Sequence, residues 1–560
     1  APSAVSQGEG WQVPYEMTHK DIQEMVVVFQ EAARRVIAAG IDCLEIHAAH
    51  GYLIHQFLSL VSNKRTDQYG GSLENRMRML LETIDRVRQA LPELCLAVRL
   101  SASEFVEGGY TQEEIIELAR ALERAGVAAI DLSGGSNESP QLSKYCIQTP
   151  SFARGCLAPY AKPIKDAVGI PVFVAGRIVE AADAEQVLAS GSADFVSIGR
   201  ALYADPHWAL KAFGQIKAPI RQCIACNVCF ERLTLEKDVC CVQNPMVGTE
   251  FEALEYAEPQ LFPPPPAPRR RVLVLGAGVA GIEAARIARG RGHQVEVWEK
   301  SARVGGQMPM AVVAPDKKEV QPVWDYRWAE LAEMKVPVRT GVDADAARIR
   351  AFAPDFIVVA TGSVPRDPPL DTGALAADIS VLHAWDVFND PGRIAAGATL
   401  TVIGGGMVGV ELADLLRLKG CAIQVLEIQA SVANGMARNN RFELLERIEA
   451  SGVRLITRCR IQAIAGRHLR VQIGEAAPIE LPIGEALVFA NGPRPNIDVI
   501  EAVAAAGVPF ARVGDCSVAG DFLSAIRDAW MVALSIDNQP LPGEPHDTEP
   551  VHAGRGAARV

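Results

Sequence analysis

From residue 20 to 215, short runs of β-branched and apolar residues alternate with stretches whose apolar positions recur every three or four residues, the pattern of βα units around a parallel sheet. The apolar runs predict strands over 41–46, 94–100, 128–132, 171–175 and 194–198. Between the first two, Leu73, Met77, Leu80, Leu81, Ile84 and Val87 share one helical face, and Thr111-x-x-Glu114 reads as a capping box opening a helix that runs to about Ala125. A closed (β/α)8 barrel needs eight strands. Five units therefore predict an incomplete α/β TIM barrel over 1–222, with about three βα units preceding Ala1 or supplied from elsewhere.

The pattern changes after residue 258. Prolines crowd 259–270, including Pro263-Pro264-Pro265-Pro266, and predict a stiff linker. Arg271-Val-Leu-Val-Leu-Gly276 then reads as a buried strand running into Gly276-Ala-Gly278-Val-Ala-Gly281, and the same arrangement returns at Gly404-Gly-Gly406-Met-Val-Gly409, 128 residues later. Each copy has an acid at the same offset: Glu299 lies 23 residues after Gly276, and Glu427 lies 23 residues after Gly404. Two Rossmann-like domains follow from this duplication, one over 271–390 and 490–537 with the other inserted at 391–489. The tail 538–560, rich in Pro, Gly and His without periodicity, is expected to be disordered.

The 560 residues carry a net charge of −12, which argues against nucleic acid and against an anionic membrane surface as partners. No apolar stretch approaches the roughly 18 residues of a membrane span. The start, Ala1-Pro2-Ser3, has neither an initiator Met nor a signal-peptide pattern and reads as an interior cut. Of twelve cysteines, Cys223, Cys226, Cys229, Cys240 and Cys241 fall within 19 residues, and that clustering argues for metal rather than disulfides. The scattered Cys43, Cys95, Cys146, Cys156, Cys421, Cys459 and Cys516 lie mostly in apolar segments and are expected to be buried thiols without a role. Thiolates beside unpaired thiols point to a reducing compartment, the cytoplasm.

Each glycine fingerprint carries its own chemistry. Its first Gly permits the turn, its second lets backbone approach a pyrophosphate, and its third allows close helix packing, while the helix N-terminus attracts the anion. Both copies follow a strand, open a helix and end in an acid, so they predict two dinucleotide sites at Gly276, Gly278, Gly281 and Glu299 and at Gly404, Gly406, Gly409 and Glu427. Glu427 would accept from a ribose 2′-OH and repel a 2′-phosphate, and Gln429-Ala430-Ser431 brings no Arg, so the second site should prefer NADH to NADPH. Cys223-x2-Cys226-x2-Cys229-x11-Cys241 suits four-cysteine ligation of an iron–sulfur cluster, with zinc as the plain alternative and Cys240 or Cys241 as the fourth ligand.

Beyond these readings, two stretches resemble known families. Asp355-Phe-Ile-Val-Val-Ala-Thr-Gly362 and Gly514-Asp515 resemble closing elements of two-dinucleotide flavoprotein reductases, and Val304-Gly305-Gly306-Gln307 resembles their flavin-contacting turn. That resemblance implies FAD in the first copy, with Gln307 and Asp515 at the flavin, and NADH in the second. Glu45-Ile-His47-Ala-Ala-His50-Gly-Tyr52, followed by Asn63-Lys-Arg65-Thr-Asp-Gln-Tyr-Gly-Gly-Ser-Leu-Glu-Asn-Arg76, resembles the Old Yellow Enzyme family of FMN barrels. The whole chain is similar to its multidomain branch, which contains 2,4-dienoyl-CoA reductase, enoate reductase and trimethylamine dehydrogenase. In that context Cys-Val-Gln-Asn-Pro selects Cys241 as the last ligand of a 4Fe-4S cluster.

The resemblance implies that His47 and His50 hydrogen-bond a substrate carbonyl and that Tyr52 or a His supplies a proton, with His55 a helix residue without a role. Arg99 would face the FMN ring, and Gly176, Arg177, Gly199 and Arg200, ending the last two predicted strands, would hold the FMN phosphate. One departure stands out: where dienoyl-CoA reductases of this architecture carry a His after the third of these strands, this sequence has Gly134-Gly-Ser-Asn137-Glu-Ser. The expected reaction passes electrons from NADH through FAD and the cluster to FMN, which reduces an activated C=C bond of a small-molecule substrate. Its rivals are the same relay in reverse, as an amine dehydrogenase or N-demethylase, and an electron-transfer subunit without FMN. A homo-oligomer is compatible with the sequence.

Overall fold

The computed structural model describes residues 1–6, 12–137, 140–253 and 269–538. Most of the proline-rich linker, residues 254–258 of the cysteine segment, Glu138 and Ser139, and all but the first residue of the tail lie outside the described residues. The chain divides into two compact units, Ala1–Leu202 with Arg438–Phe442, and Tyr203–Ala437 with the residues from Glu443 onward.

The first unit is built on five parallel strands in sequential order: β1 (Cys43–Ala48), β2 (Cys95–Ser101), β3 (Ala129–Ser133), β4 (Val172–Val174) and β5 (Phe195–Val196). Each predicted strand is present within two residues of its expected bounds. Parallel neighbours need a crossover, and helices such as Leu73–Ala90 and Gln112–Arg124 supply it. In Leu73–Ala90 the side chains of Met77, Leu80, Ile84 and Val87 are buried as the periodicity predicts. The Thr111 capping box forms, its side chain accepting from the Glu114 N–H while Glu114 accepts from the Thr111 N–H.

Much of the Asn63–Arg76 motif is scaffolding. Asn63 Nδ2 donates to the carbonyls of Phe57 and Tyr69 at 2.7 and 2.8 Å, and a side chain at Gly70 would meet the Arg65 carbonyl at 2.3 Å. Arg76 is buried, donating to Leu58 O at 2.5 Å and Gly71 O at 3.2 Å while pairing with Glu114 on the next helix.

The second unit holds two similar parallel sheets. One contains β6 (Arg271–Leu275), β7 (Gln294–Trp298), β8 (Val338–Arg339), β9 (Phe356–Val359) and β20 (Phe510–Arg512) in the order β20-β9-β6-β7-β8. The other contains β11 (Ser380–His383), β12 (Thr399–Ile403), β13 (Ala422–Leu426), β14 (Arg454–Ile456) and β18 (Ala486–Phe489) in the order β11-β18-β12-β13-β14, with an antiparallel sheet of β15 (Cys459–Ala465), β16 (His468–Ile473) and β17 (Ile479–Pro482) between β14 and β18 in the chain. Their crossing point is a short antiparallel pair, β10 (Ser363–Pro365) with β19 (Pro493–Pro495). The second sheet thus starts at Ser380, ahead of residue 391 where the sequence placed its domain. β11 pairs with β18, and the following helix Ala384–Asn389 buries Val387 and Phe388 in that domain's core. A β11 strand of four residues with a polar residue at each end has too weak a pattern to be assigned without its partner.

Arg76 meets three acceptors on separate segments, so Arg76→Met should cost about 3 kcal/mol of unfolding free energy, read by denaturant titration. Glu114→Gln, which keeps an acceptor, should cost less than half as much.

Candidate functional site

Parallel packing brings the strand ends of the first unit to one edge. His47 on β1 pairs in register with Arg99 on β2, and Arg99 with Asp131 on β3. These side chains share the face that also carries Glu45, one pleat repeat before His47. Arg99 is held by Asp131, and Ser197 donates to the other Asp131 oxygen at 2.9 Å. Burial raises the pKa of Glu45, as does Asp131, while burial raises that of Asp131 against the pull of Arg99. The interaction between the two carboxyls raises the pKa of Glu45 and works to lower that of Asp131, whose oxygens also meet Arg99 and Ser197. The sequence reading missed Asp131; its signal was a carboxylate in the middle of the apolar strand Ala-Ile-Asp-Leu-Ser.

Beyond β1 the chain turns sharply at His50, whose φ of 62° lies in the left-handed region, and at Gly51. The turn is pinned by neighbouring strand ends: the His50 N–H donates to Ser101 Oγ at 3.2 Å, and the Asn137 N–H donates to His50 O at 2.9 Å. His50 Nε2 lies 2.7 Å from Ser133 Oγ. The rings of His47 and His50 are 5.1 Å apart and those of His47 and Tyr52 are 5.2 Å apart, so the three residues form one group. Tyr52 is 55% exposed. Burial, then Arg99, lowers the pKa of His47, and burial, then Arg99 and His47, pushes His50 down to about 3. Both imidazoles are neutral at pH 7, each with one N–H to donate.

His55 stands beneath this turn rather than apart from it. It is fully buried on Leu53–Leu58, its Nδ1 accepts the Gly51 N–H at 2.5 Å, and Glu104 lies 3.6 Å from Nε2.

Gly176-Arg177 and Gly199-Arg200 follow β4 and β5. Arg177, with a φ of 53°, donates to the Pro150 carbonyl at 2.8 Å and also to that of Phe152, while Arg200 donates to the Gln148 carbonyl at 2.7 Å. The two guanidinium groups therefore grip one loop, 148–152. A Cβ at Gly199 would meet open space, whereas one at Gly176 would strike Leu157 at 2.9 Å. Cys43 and Cys95 are exposed, a correction to their expected burial: they face each other in register at the start of β1 and β2. Cys156 is partly exposed, and the other four scattered thiols are buried.

In the second unit both fingerprints have the same geometry. Gly276 has a φ of 109°, and a Cβ there would meet the Ala360 carbonyl at 2.3 Å; at Gly404 the φ is 107° and the clash is with Ala490 O at 2.4 Å. The third glycines, Gly281 and Gly409, lie so close to the first that a Cβ would fall 2.0 and 1.9 Å from its carbonyl oxygen. Gly278 and Gly406 are the N-caps of the helices Val279–Gly290 and Met407–Arg417. Glu299 accepts the Ala277 N–H at 2.8 Å and Glu427 accepts the Gly405 N–H at 2.7 Å. Each acid thus stands across the mouth of its own glycine turn. Gln307 Nε2 donates to Asp515 Oδ2 at 3.0 Å, and Ser363, which the sequence reading passed over, donates to the same oxygen at 2.7 Å. Residues from three distant stretches so converge beside the first turn, where Gly306 Cα approaches Gly278 closely enough that a Cβ would sit 3.1 Å away.

The cysteine segment packs on this first domain, with Ile224 and Val242 in its core. Ala225 and Asn227 take φ of 50° and 59°, coiling the backbone between Cys223, Cys226 and Cys229. Cys226 is partly buried, and Cys241, Cys223 and Cys229 are the thiols that, after burial, raise its pKa. Burial, then Cys223, pushes Cys241 up to about 12, opposed by the N–H groups of Asn244 and Gln243 aimed at its sulfur. Cys240 instead faces Arg232, Arg527 and Asp521. Among the described residues no three His, Cys, Asp or Glu side chains stand at ligating distances. The donor set nevertheless has the chemistry of a thiolate-bound metal: four partly buried cysteines close enough to shift one another's pKa, with backbone N–H groups turned towards Cys226 and Cys241.

No helix among the described residues is long and apolar enough to cross a membrane. Residues 2–218 match the NADH:flavin oxidoreductase / NADH oxidase family, and residues 270–522 match pyridine nucleotide-disulphide oxidoreductase. An NADH oxidase of Thermoanaerobacter brockii is 36% identical over 93% of this chain and 79% of its own length. An N,N-dimethylglycine/sarcosine dehydrogenase of Chromohalobacter salexigens is 29% identical over 92% of this chain and 79% of its own. The solved structure of a 2-naphthoyl-CoA reductase with 2-naphthoyl-CoA superposes with a TM-score of 0.86 at 29% identity, covering 96% of this chain and 80% of that one.

With its folded pKa pushed down to about 3, His50 binds its proton only in the unfolded chain between there and about 6.5, so stability is lost as pH falls through that window. The loss should approach about 1.4 kcal/mol per pH unit. In His50→Asn, urea unfolding between pH 6.5 and 4.5 should show a visibly flatter decline.

Proposed function

The chain belongs to the NADH:flavin oxidoreductase / NADH oxidase family, and we propose that it uses NADH to reduce an activated C=C bond in an enone, an enoate or an enoyl-CoA thioester. The observation that carries this reading is the grouping of His47, His50 and Tyr52 at the strand edge with both imidazoles neutral. Two neutral N–H donors converging on a substrate carbonyl oxygen polarise the conjugated double bond and leave its β-carbon open to hydride. Tyr52, exposed beside them, delivers a proton to the α-carbon. Asp131 keeps the Arg99 guanidinium fixed on the same face, where it favours an anionic ring system.

FMN at the barrel edge, FAD at the first glycine turn and a 4Fe-4S cluster at the cysteine loop supply the hydride and one-electron chemistry when bound. Arg99, with the backbone at Gly176, Arg177, Gly199 and Arg200, holds the FMN. Gly276, Gly278, Gly281, Glu299, Gln307 and Asp515 hold the FAD, and Cys223, Cys226, Cys229 and Cys241 bind the cluster. Gly404, Gly406 and Gly409 admit the NADH pyrophosphate, and Glu427 accepts from its ribose. Likeness to the naphthoyl-CoA reductase structure supports the reductive direction. The dimethylglycine/sarcosine dehydrogenase relative favours a second reading, oxidation of a methylated amine by the same groups.

Anaerobic titration separates the two. NADH should bleach the flavin absorbance, and enoyl-CoA or a free enone should restore it; bleaching by methylated amines and not by NADH would overturn the reductase. Tyr52→Phe should lower kcat about 100-fold with little change in KM. Turnover with NADPH should fall at least tenfold below that with NADH, and Glu427→Gln should narrow the gap.

A further inference from the structure

Gln243, two residues past Cys241, is gripped from several directions. Its Nε2 donates to the Gln222 carbonyl, beside Cys223, at 3.0 Å. Its Oε1 accepts from Arg327 Nη1 at 2.7 Å, and its backbone carbonyl accepts from Arg327 Nη2 at 2.9 Å. Its backbone N–H, with that of Asn244, faces the Cys241 sulfur. One residue thus links both ends of the cysteine loop.

Arg327 is fully buried on the helix Pro322–Glu333. Its Nε lies 3.0 Å from Glu283 Oε2, and its Nη1 also donates to the Val323 carbonyl at 2.8 Å. Glu283, fully buried too, sits on the helix that opens at the first glycine turn and accepts from Arg286 Nη2 and Nε at 3.0 and 3.1 Å. An arginine taken wholly out of water is tolerated only when its charge is balanced and its donors are met. Glu283 balances the charge, and the planar fork spends both of its arms on a single residue of the cysteine segment. A lysine, with a point charge on a flexible stem, cannot span those two acceptors in the same way.

We propose that Arg327 is a positioning residue for the iron–sulfur site: through Gln243 it holds the two N–H groups that face Cys241 and fixes Cys241 relative to the Cys223 end of the loop. This rests on the reading that the four cysteines bind an iron cluster. Hydrogen bonds to cluster sulfur raise its reduction potential. Loosening the clamp therefore lowers the potential and exposes the metal.

The test compares the full chain, purified anaerobically, with Arg327→Lys and Gln243→Ala. Wild-type protein is first assayed for iron and for the electron paramagnetic resonance signal of the dithionite-reduced cluster. Bound FAD and a cooperative melt identify folded variants, and if Arg327→Lys does not fold, Gln243→Ala decides. The expected result is a full iron complement with the midpoint potential shifted negative by at least a tenfold change in the reduced-to-oxidised ratio, 59 mV for one electron. Iron loss to a ferrous chelator should accelerate about tenfold. Folded variants with unchanged potential and unchanged iron loss overturn the clamp alone. Zinc in place of iron in the wild-type protein overturns the cluster reading and the clamp with it.

Discussion

A parallel strand can be followed by another only if the chain crosses over and re-enters from the same end, so every loop that leaves a strand leaves from one edge. That constraint places the chemistry of this protein. In the first unit it gathers His50 after β1, Ser133 at the end of β3, Gly176 after β4 and Gly199 after β5. In the second it puts Gly276 and Gly404 at strand ends, with Glu299 and Glu427 ending the neighbouring strands one crossover later. Residues far apart in sequence meet because the topology returns each of them to the same side.

Burial then selects what those groups can do. The imidazoles at the barrel edge lose their protons because they are withdrawn from water beside Arg99, and so they act as neutral donors. Arg99 keeps a fixed partner because Asp131 is buried next to it. The same logic governs Glu283, Arg286 and Arg327 under the cysteine loop, where both guanidinium groups meet the Glu283 carboxylate at 3.0 Å. The two fingerprints add a steric version of it: their glycines bring carbonyl oxygens within about 2 Å of where a side chain would start, leaving the N–H face of each turn to a ligand.

Much of this was legible in the chain itself. Alternation of apolar runs located the strands, because a strand buried on both faces must be continuously apolar. The two glycine turns and their acids were legible because such turns tolerate no other residue at the close approaches, and the spacing to the acid is set by one helix and one strand. The capping box at Thr111 and Glu114 and the buried face of Leu73–Ala90 are local and depend only on helical period. By contrast β11 was missed, since a short edge strand declares itself only through its partner β18. The apolar segments around Cys43 and Cys95 predict buried thiols, yet their neighbouring strands leave them facing each other in the open.

Sequence by itself determined the kinds of site this protein carries, because motif spacing within one βα unit is a local matter of backbone geometry. Spacing also narrowed the fourth cysteine to two adjacent residues, between which the resemblance around Cys-Val-Gln-Asn-Pro selected Cys241. Tertiary structure alone turned Cys241 towards Cys226 and Cys240 towards Arg232, set Ser363 against Asp515, put Asp131 opposite Arg99 and drove Arg327 into the cysteine loop. Those pairings span from 8 to 152 residues, and no periodicity along a chain encodes which buried charge will find which partner; that is decided when the sheets and helices pack and each polar group must be met.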